Sequence, residues 1–543
     1  MTRRLLLLAG AALVAAVVYP IFASAPNLDR AAVALALAGP AAGAAVAIAA
    51  GRPPLVAAAL AGVGAYTSGL LALHGLPVPV AVLAGAGAGA VAGALIALLG
   101  QRLDGASFLV ATLLLALAGG ALVQALPAIT GAQAGLGPLP PLSVPLGGFR
   151  SAVLTPLGDF HVLLVVATLS AAVAGLMLWR GFGPGWRAVG SDRARAAASG
   201  LRPLASDATA LALAGLLAAL SGALAAHLTH LATPESFAPD VAALPLLAAL
   251  AAGRDPIGAA MVAVATGLVG VVILPAAGWQ GPPDAMSVAI GTLAMAALFT
   301  LLPGGVRRTD PRAGSIDATS AWPLDGLSLH GARLVVPPIH VRAPNGGLVV
   351  DSPEFSVEPG GLLAVVGPNG AGKTTLLTAI LARAGPSGDV VVSAGDARGR
   401  VVLLPQEGGG FPACTVRETL LLAARPGRSA PGALALAGAW LDRLGLEASA
   451  GLLCAELSGG QRRLVDLARV LLGAPNVLLC DEPLAGLDDS YRAATIACLR
   501  AAARAGLTVV VTEHDRDAVA VLATGVIALE RADTAPRAAT VSP

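Results

Sequence analysis

The chain has 543 residues, of which 56% are apolar and 12% charged, with mean hydropathy +0.79 and net charge +2. This composition excludes an ordinary soluble protein, and the near-neutral charge excludes a nucleic-acid partner. The length admits several domains. Among the 34 basic residues Lys373 is the only lysine. The arginine bias and the abundance of Ala, Gly and Val read as GC-rich coding.

Long apolar runs fill residues 1–306. About 20 apolar residues cross a bilayer as helix. Candidate spans lie at roughly 5–22, 31–50, 54–74, 78–99, 106–128, 161–179, 208–229, 238–252, 257–275 and 285–303. They are apolar all round, as burial in lipid or in a bundle requires. The eighth is short and holds Pro245, so a re-entrant or broken helix is expected there. Arg3-Arg4, the first run and Ala23-Ser24-Ala25 also fit a secretory signal, but the run is long for one and Pro26 would follow the cut; a retained helix is expected. With ten spans, one side receives Arg3, Arg4, Arg52, Arg102, Arg180, Arg187, Arg193, Arg195, Arg202, Arg254, Arg307, Arg308 and Arg312, and the other only Arg30 and Arg150. By the positive-inside rule, the N-terminus and everything after the last span are cytoplasmic. Residues 307–324 read as a polar linker, 325–533 as a soluble α/β domain and 534–543 as a tail. Cys414, Cys454, Cys480 and Cys498 all fall in the soluble domain; their spacing matches no zinc pattern, and free thiols are expected.

In the soluble part, Gly367-Pro368-Asn369-Gly370-Ala371-Gly372-Lys373-Thr374 fits the phosphate-loop pattern. The buried strand expected at 362–366 precedes it and a helix follows, so loop amides and a helix N-terminus would face phosphates. Lys373 would reach the β- and γ-phosphates, and the Thr374 hydroxyl would coordinate Mg²⁺. A second apolar strand at 477–480 ends in Asp481-Glu482. Asp481 is placed to hold the Mg²⁺ shell and Glu482 to polarise the attacking water. Ser458-Gly459-Gly460 opens another helix, a second anion-binding arrangement.

Leu457-Ser458-Gly459-Gly460-Gln461, about 20 residues before that acidic strand end, resembles the signature of ATP-binding cassette (ABC) ATPases. Gln406 resembles the family's Q-loop glutamine, Asp488 its D-loop and His514 its switch histidine. The resemblance implies ATP and Mg²⁺ as cofactors. ATP would be bound by Gly367, Pro368, Asn369, Gly370, Ala371, Gly372, Lys373, Thr374, Thr375 and Gln406, and Mg²⁺ by Thr374, Gln406 and Asp481. It also implies a head-to-tail cassette pair in which Ser458, Gly459, Gly460 and Gln461 serve the partner's ATP, so the chain must pair with a second subunit, identical or different. The family's adenine-stacking aromatic is missing between Trp322 and Phe355; His340 or Val336 is the expected substitute.

The apolar half resembles permeases of high-affinity branched-chain amino-acid importers. The stretches that carry this are Gly64-Ala65-Tyr66-Thr67-Ser68, residues 102–112 from Arg102-Leu103-Asp104 to Thr112, Thr130-Gly131-Ala132-Gln133-Ala134-Gly135-Leu136, Pro234-Glu235-Ser236-Phe237 and Leu302-Pro303-Gly304-Gly305. The loop at 180–207 resembles the family's coupling loop, with Pro184 where a basic residue is usual. The fold expected is thus a multi-pass α-helical membrane domain of about ten transmembrane helices followed by an α/β P-loop ABC ATPase domain. The function implied is ATP-driven import of branched-chain or related small amino acids, fed by an extracytoplasmic solute-binding protein. Urea, short amides or nucleosides are the alternative substrates; an exporter or a non-transporting membrane ATPase are rival classes. With few ionisable residues in the spans, Tyr66, Thr67, Ser68 and Thr112 are the candidate substrate contacts. His227 and His230 with Glu235 are expected at the outer interface rather than on a metal.

Overall fold

A computed structural model describes residues 2–273 and 320–530, apart from 148–149, 154, 180–181, 199–200, 235–238, 254, 326, 328, 343–347, 385–387, 395–396, 407–409 and 425–428. The chain divides into two compact units, Met1–Val306 and Arg307–Pro543.

The first unit is helical: α1 (Thr2–Val18), α2 (Ala25–Leu35), α3 (Ala38–Ala49), α4 (Ala57–Leu73), α5 (Val78–Leu99), α6 (Gly105–Ala125) and a single turn α7 (Pro127–Thr130). A hairpin of β1 (Ser143–Gly147) and β2 (Arg150–Val153) follows, where no strand was expected. Then come α8 (Pro156–Trp179), α9 (Gly183–Ser191), α10 (Arg193–Ala198), α11 (Pro203–Thr229), α12 (Pro239–Ala251) and α13 (Pro256–Leu268), the last running on as a π turn to Ile273. Each of the first nine expected spans has helix at its position; the tenth, 285–303, lies outside the described residues. Among the described residues, five helical stretches are long and apolar enough to cross a membrane, including Ala25–Ala49 and Pro203–Thr229. The helix α12 continues through Pro245 unbroken, but its 13 residues reach only about 20 Å, short of a hydrocarbon core of about 30 Å.

In this unit α11 is the central post. Gly64 on α4 meets the Ala219 carbonyl, and Gly93 on α5 meets that of Leu211, so closely that a Cβ at either position would collide with backbone. The glycines and alanines of these helices therefore have a structural role beyond coding bias: they let backbones approach where lipid offers no hydrophobic drive. Outward faces stay apolar, with Leu83, Val91, Leu99 and Leu114 exposed, as lipid-facing surfaces are.

The second unit is α/β. Its strands are β3 (Arg333–Val336), β4 (Ile339–Arg342), β5 (Leu348–Ser352), β6 (Phe355–Val357), β7 (Leu362–Val366), β8 (Val391–Ala394), β9 (Ala397–Arg398), β10 (Val401–Leu404), β11 (Val477–Asp481), β12 (Thr508–Glu513) and β13 (Gly525–Ala528). Its helices are α14 (Lys373–Arg383), α15 (Val416–Ala424), α16 (Ala430–Arg443), α17 (Gly459–Leu472), α18 (Asp489–Arg504) and α19 (Arg516–Leu522). A parallel sheet in the order β10-β11-β12-β7-β13 forms the core, beside antiparallel sheets β6-β3-β8-β9 and β4-β5. The central strands β11 and β12 are buried throughout, as their unbroken Val and Leu runs require with both faces covered. Trp322 and Leu324, assigned to the linker from sequence, pack into this core instead: Trp322 meets Trp440 with ring centroids 5.8 Å apart, and the Arg443 guanidinium lies 3.8 Å from its ring centroid.

Candidate functional site

The parallel sheet brings β7, β10, β11 and β12 to a common edge at their C-terminal ends, where ligands of open α/β sheets bind. The loop after β7 curls around the Lys373 ammonium, which donates to the carbonyls of Gly367 at 2.8 Å and Pro368 at 3.3 Å. Gly370 and Gly372 adopt φ of +84° and +83°, which a side chain would strain, and a Cβ on Gly372 would lie 2.5 Å from the Val349 carbonyl. Pro368, Asn369 and Gly370 are exposed at the rim, Ala371 is buried beneath them, and Thr375 is half-buried.

The hydroxyl of Thr374 donates to Asp481 Oδ2 at 2.8 Å. The other Asp481 oxygen accepts from the Thr512 hydroxyl at 2.7 Å. An alcohol and a carboxylate side by side are oxygen donors of the kind a small hard cation takes, so the residues fit Mg²⁺. Glu482, one residue on, is left-handed with φ +42°, a conformation that costs a non-glycine residue about 1–2 kcal/mol. Its carboxylate accepts from Gln406 Nε2 at 2.8 Å and stands 3.8 Å from Lys373 Nζ. The structure thus gathers Lys373, Thr374, Gln406, Asp481 and Glu482.

His514 follows β12 with a half-exposed ring, its Nδ1 3.9 Å from Glu513. Ser458 caps α17: its Oγ accepts from Gln461 N at 3.3 Å, and Gln461 Oε1 accepts from Ser458 N at 3.1 Å. Gln461 is buried by this capping box, leaving Ser458, Gly459 and the helix N-terminus outward. Gly460 abuts the Tyr491 ring, which a Cβ would meet at 2.5 Å. Asp488 caps α18, accepting from Tyr491 N at 3.0 Å and from Ser490 Oγ at 2.8 Å; these bonds hold its carboxyl below the usual range. Of the two candidates for the adenine, Val336 is fully buried in the core and has no free face; His340 is on the surface, beside Asp351 at 2.9 Å.

Three participants escaped the sequence reading. Thr512 binds Asp481 and also accepts from the Glu482 N–H at 3.0 Å. Arg463, buried on α17, donates to carbonyls around the β11 end. Glu513, also buried, accepts from Leu484 N at 3.1 Å and His514 N at 3.3 Å, and desolvation pushes its carboxyl pKa up. The motif neighbours Gln461 and His514 were the only signal for Arg463 and Glu513.

In the helical unit, Ser68 and His227 are buried and bonded at 2.8 Å, with His227 Nδ1 2.8 Å from the Pro140 carbonyl. A carbonyl can only accept, so Nδ1 carries the hydrogen and Nε2 accepts from Ser68. His230 Nδ1 is 3.2 Å from the Leu139 carbonyl. No group of three His, Cys, Asp or Glu that could hold a metal occurs among the described residues, which do not include Glu235. Thr112 accepts from Leu55 N at 3.1 Å and donates to Leu109 O at 2.9 Å; Tyr66 and Thr67 are half-buried on α4. Loop 180–207 is largely helical. Trp186 of α9 is buried, donates to Thr209 at 3.1 Å and stacks on the exposed Phe182. Asp207, taken from sequence as the end of that loop, lies inside α11, fully buried against Arg52 at 2.9 Å and Arg193 at 2.6 Å.

A phosphate loop, a strand-end acid pair and a capped Ser-Gly-Gly helix on one parallel sheet, in a chain that also carries an apolar helical bundle, define an ABC transporter subunit. Residues 350–485 match the ABC transporter family, and residues 28–299 match the family described as branched-chain amino acid transport system / permease component. A Nod factor export ATP-binding protein I of Burkholderia pseudomallei (strain 1710b) is 40% identical over 176 residues, which cover 31% of this chain and 58% of that protein. The chain thus spans a little over half that relative's length. The hemin import ATP-binding protein HmuV of Chelativorans sp. (strain BNC1) is 36% identical over 186 residues, 31% of this chain and 71% of that one. A solved metal-chelate type ABC transporter in an inward-facing conformation aligns at 25% identity with a TM-score of 0.32, covering 37% of this chain and 81% of the other. The chain belongs to the branched-chain amino-acid transport permease family, with an ABC ATP-binding domain fused behind the permease domain, and it is a membrane protein.

Proposed function

We propose that this chain is the permease–ATPase subunit of an importer that moves branched-chain or related small amino acids across the cytoplasmic membrane, driven by ATP. The observation that carries the reading is the convergence of Lys373, Thr374, Gln406, Asp481 and Glu482 at one sheet edge, in a chain whose other half matches the permease family. Lys373 and the loop amides hold the triphosphate. Thr374 and Asp481, with Gln406, would hold Mg²⁺, which would supply charge neutralisation at the phosphates. Glu482 orients the attacking water and takes its proton, with His514 beside the terminal phosphate. A second cassette completes each site with Ser458 and its helix N-terminus, and Asp488 lies at that contact. The ATPase domain and the N-terminus face the cytoplasm, loop 180–207 couples the cassette to the helices, and a solute-binding protein delivers substrate outside.

The candidate substrate contacts are Tyr66, Thr67, Ser68 and Thr112, of which Ser68 and Thr112 also make hydrogen bonds within the helical unit. The test is uptake of labelled leucine by vesicles holding the full chain, its partner cassette and a solute-binding protein. Glu482→Gln should lower ATP-dependent uptake by about 10²–10⁴-fold. Undiminished uptake would sink the mechanism. A wild-type protein that takes up another solute but no leucine would sink the substrate class alone.

A further inference from the structure

Glu482 stands in left-handed backbone at the end of β11, and such a residue stays there only where its surroundings over-determine it. The surroundings are two side chains from elsewhere. The peptide joining Asp481 to Glu482 is gripped at both polar ends: its carbonyl accepts from Arg463 Nη2 at 2.9 Å, and its N–H donates to Thr512 Oγ1 at 3.0 Å. The same Arg463 nitrogen reaches the Glu482 carbonyl at 3.1 Å, and Nε reaches that of Pro483 at 3.2 Å. Nη1 points to the segment after β10, to the carbonyls of Pro405 and, at 3.3 Å, Gln406. One buried guanidinium thus joins the signature helix, the turn that carries Glu482 and the residue that donates to the Glu482 carboxylate. A guanidinium has five N–H donors in a rigid fork, which an ammonium cannot reproduce. Across the peptide, Thr512 gives its only hydroxyl hydrogen to Asp481, so its lone pairs face the Glu482 N–H.

We propose that Arg463 and Thr512 are positioning residues for ATP hydrolysis, fixing the Glu482 backbone so that its carboxylate is presented beside Gln406 and Lys373. This rests on the reading of Glu482 as general base. Both residues act through Glu482, and Arg463 links its position to α17, the helix that Ser458 caps.

The experiment measures steady-state hydrolysis by the full chain in vesicles, with equilibrium binding of a fluorescent ATP analogue measured separately. Thr512→Val keeps the shape and loses the hydroxyl. It should lower kcat by about 10- to 100-fold, while KM and analogue Kd stay within about twofold. Thr512→Ser restores the hydroxyl and should recover kcat to within about threefold of wild type. Arg463→Lys should lower kcat like Thr512→Val. Placed on Glu482→Gln, neither change should add a further loss, because residues acting through one group are non-additive. A Thr512→Val enzyme with wild-type kcat, a loss confined to nucleotide binding, or losses that multiply with Glu482→Gln would overturn the proposal. If Glu482→Gln alone hydrolyses ATP at the wild-type rate, the assignment of Glu482 falls and the proposal falls with it.

Discussion

Removing the Asp207 carboxylate should be among the most damaging single changes in the helical unit. Asp207 is fully buried, and one of its oxygens takes both Arg52 Nε at 2.9 Å and Arg193 Nη1 at 2.6 Å. Arg52 is itself 2% exposed and donates to the carbonyls of Leu103 at 2.6 Å and Gln101 at 3.3 Å, with Phe108 5.0 Å away on its flank. In Asp207→Ala the buried Arg52 charge loses the carboxylate it is paired with. Breaking a buried pair in this way costs about 3–5 kcal/mol. Arg193 is about one-third exposed and can turn to solvent, so its share is small. At roughly 2–4 °C per kcal/mol for a unit of this size, the midpoint of thermal unfolding should fall by on the order of 10 °C. The assay is a thermal melt of the purified full chain in detergent, read as loss of the monodisperse peak. Arg52→Met with Asp207→Leu should recover more than half of the fall, because a buried pair exchanged for apolar groups is close to neutral. A single Asp207→Ala variant within about 2 °C of wild type would refute the reasoning, as would a double variant worse than the single.

Lys373→Arg matches every other basic residue of the chain, yet a planar fork does not fit where Gly367 and Pro368 close on a single nitrogen; ATP-driven uptake should be lost, while membrane insertion, checked by flotation, is unchanged. All four cysteines are buried, and burial pushes the Cys454 thiol to about 11 and that of Cys480 to about 12, so a maleimide at neutral pH should label none in the folded chain and all four after denaturation; rapid native labelling of Cys480 would contradict the packing of β11. Burial also raises the Glu513 pKa above its unfolded value near 4.5. The stability linked to that group is present in full below that pH and is lost as pH rises through the raised value. Chemical denaturation at stepped pH should show this decline, and Glu513→Gln should flatten it; an unchanged slope in the variant would count against the buried carboxylate.

The nucleotide half was legible because its chemistry is written in contiguous runs. Gly367 to Thr374 form one turn and an apolar strand ends in Asp481 and Glu482, so local pattern located these candidates, while His514 was located by its resemblance to the cassette family's switch histidine. The helical half was legible as a set of spans, since hydropathy needs only a window of sequence. Side-chain partnerships were not legible. Val336 alternates in a strand like any surface candidate, but its face of β3 turns into the core. Trp322 follows a polar stretch and reads as linker, yet packs on Trp440 far along the chain. Asp207 reads as a loop charge next to arginines, because nothing local shows that α11 begins at Pro203 and carries it inward.

By itself, then, the sequence determined the order of the two domains, the apolar helices, the phosphate loop, the acid pair and the signature turn. Each of these depends on residues within one element or one turn. The tertiary structure alone decided that Arg52 pairs with Asp207 across 155 residues, that Ser68 faces His227 across 159, and that Arg463 and Thr512 close on the peptide of Glu482. The physical reason is that a buried polar group takes whichever partner packing brings within hydrogen-bond reach, and that choice belongs to the fold and not to any stretch of chain.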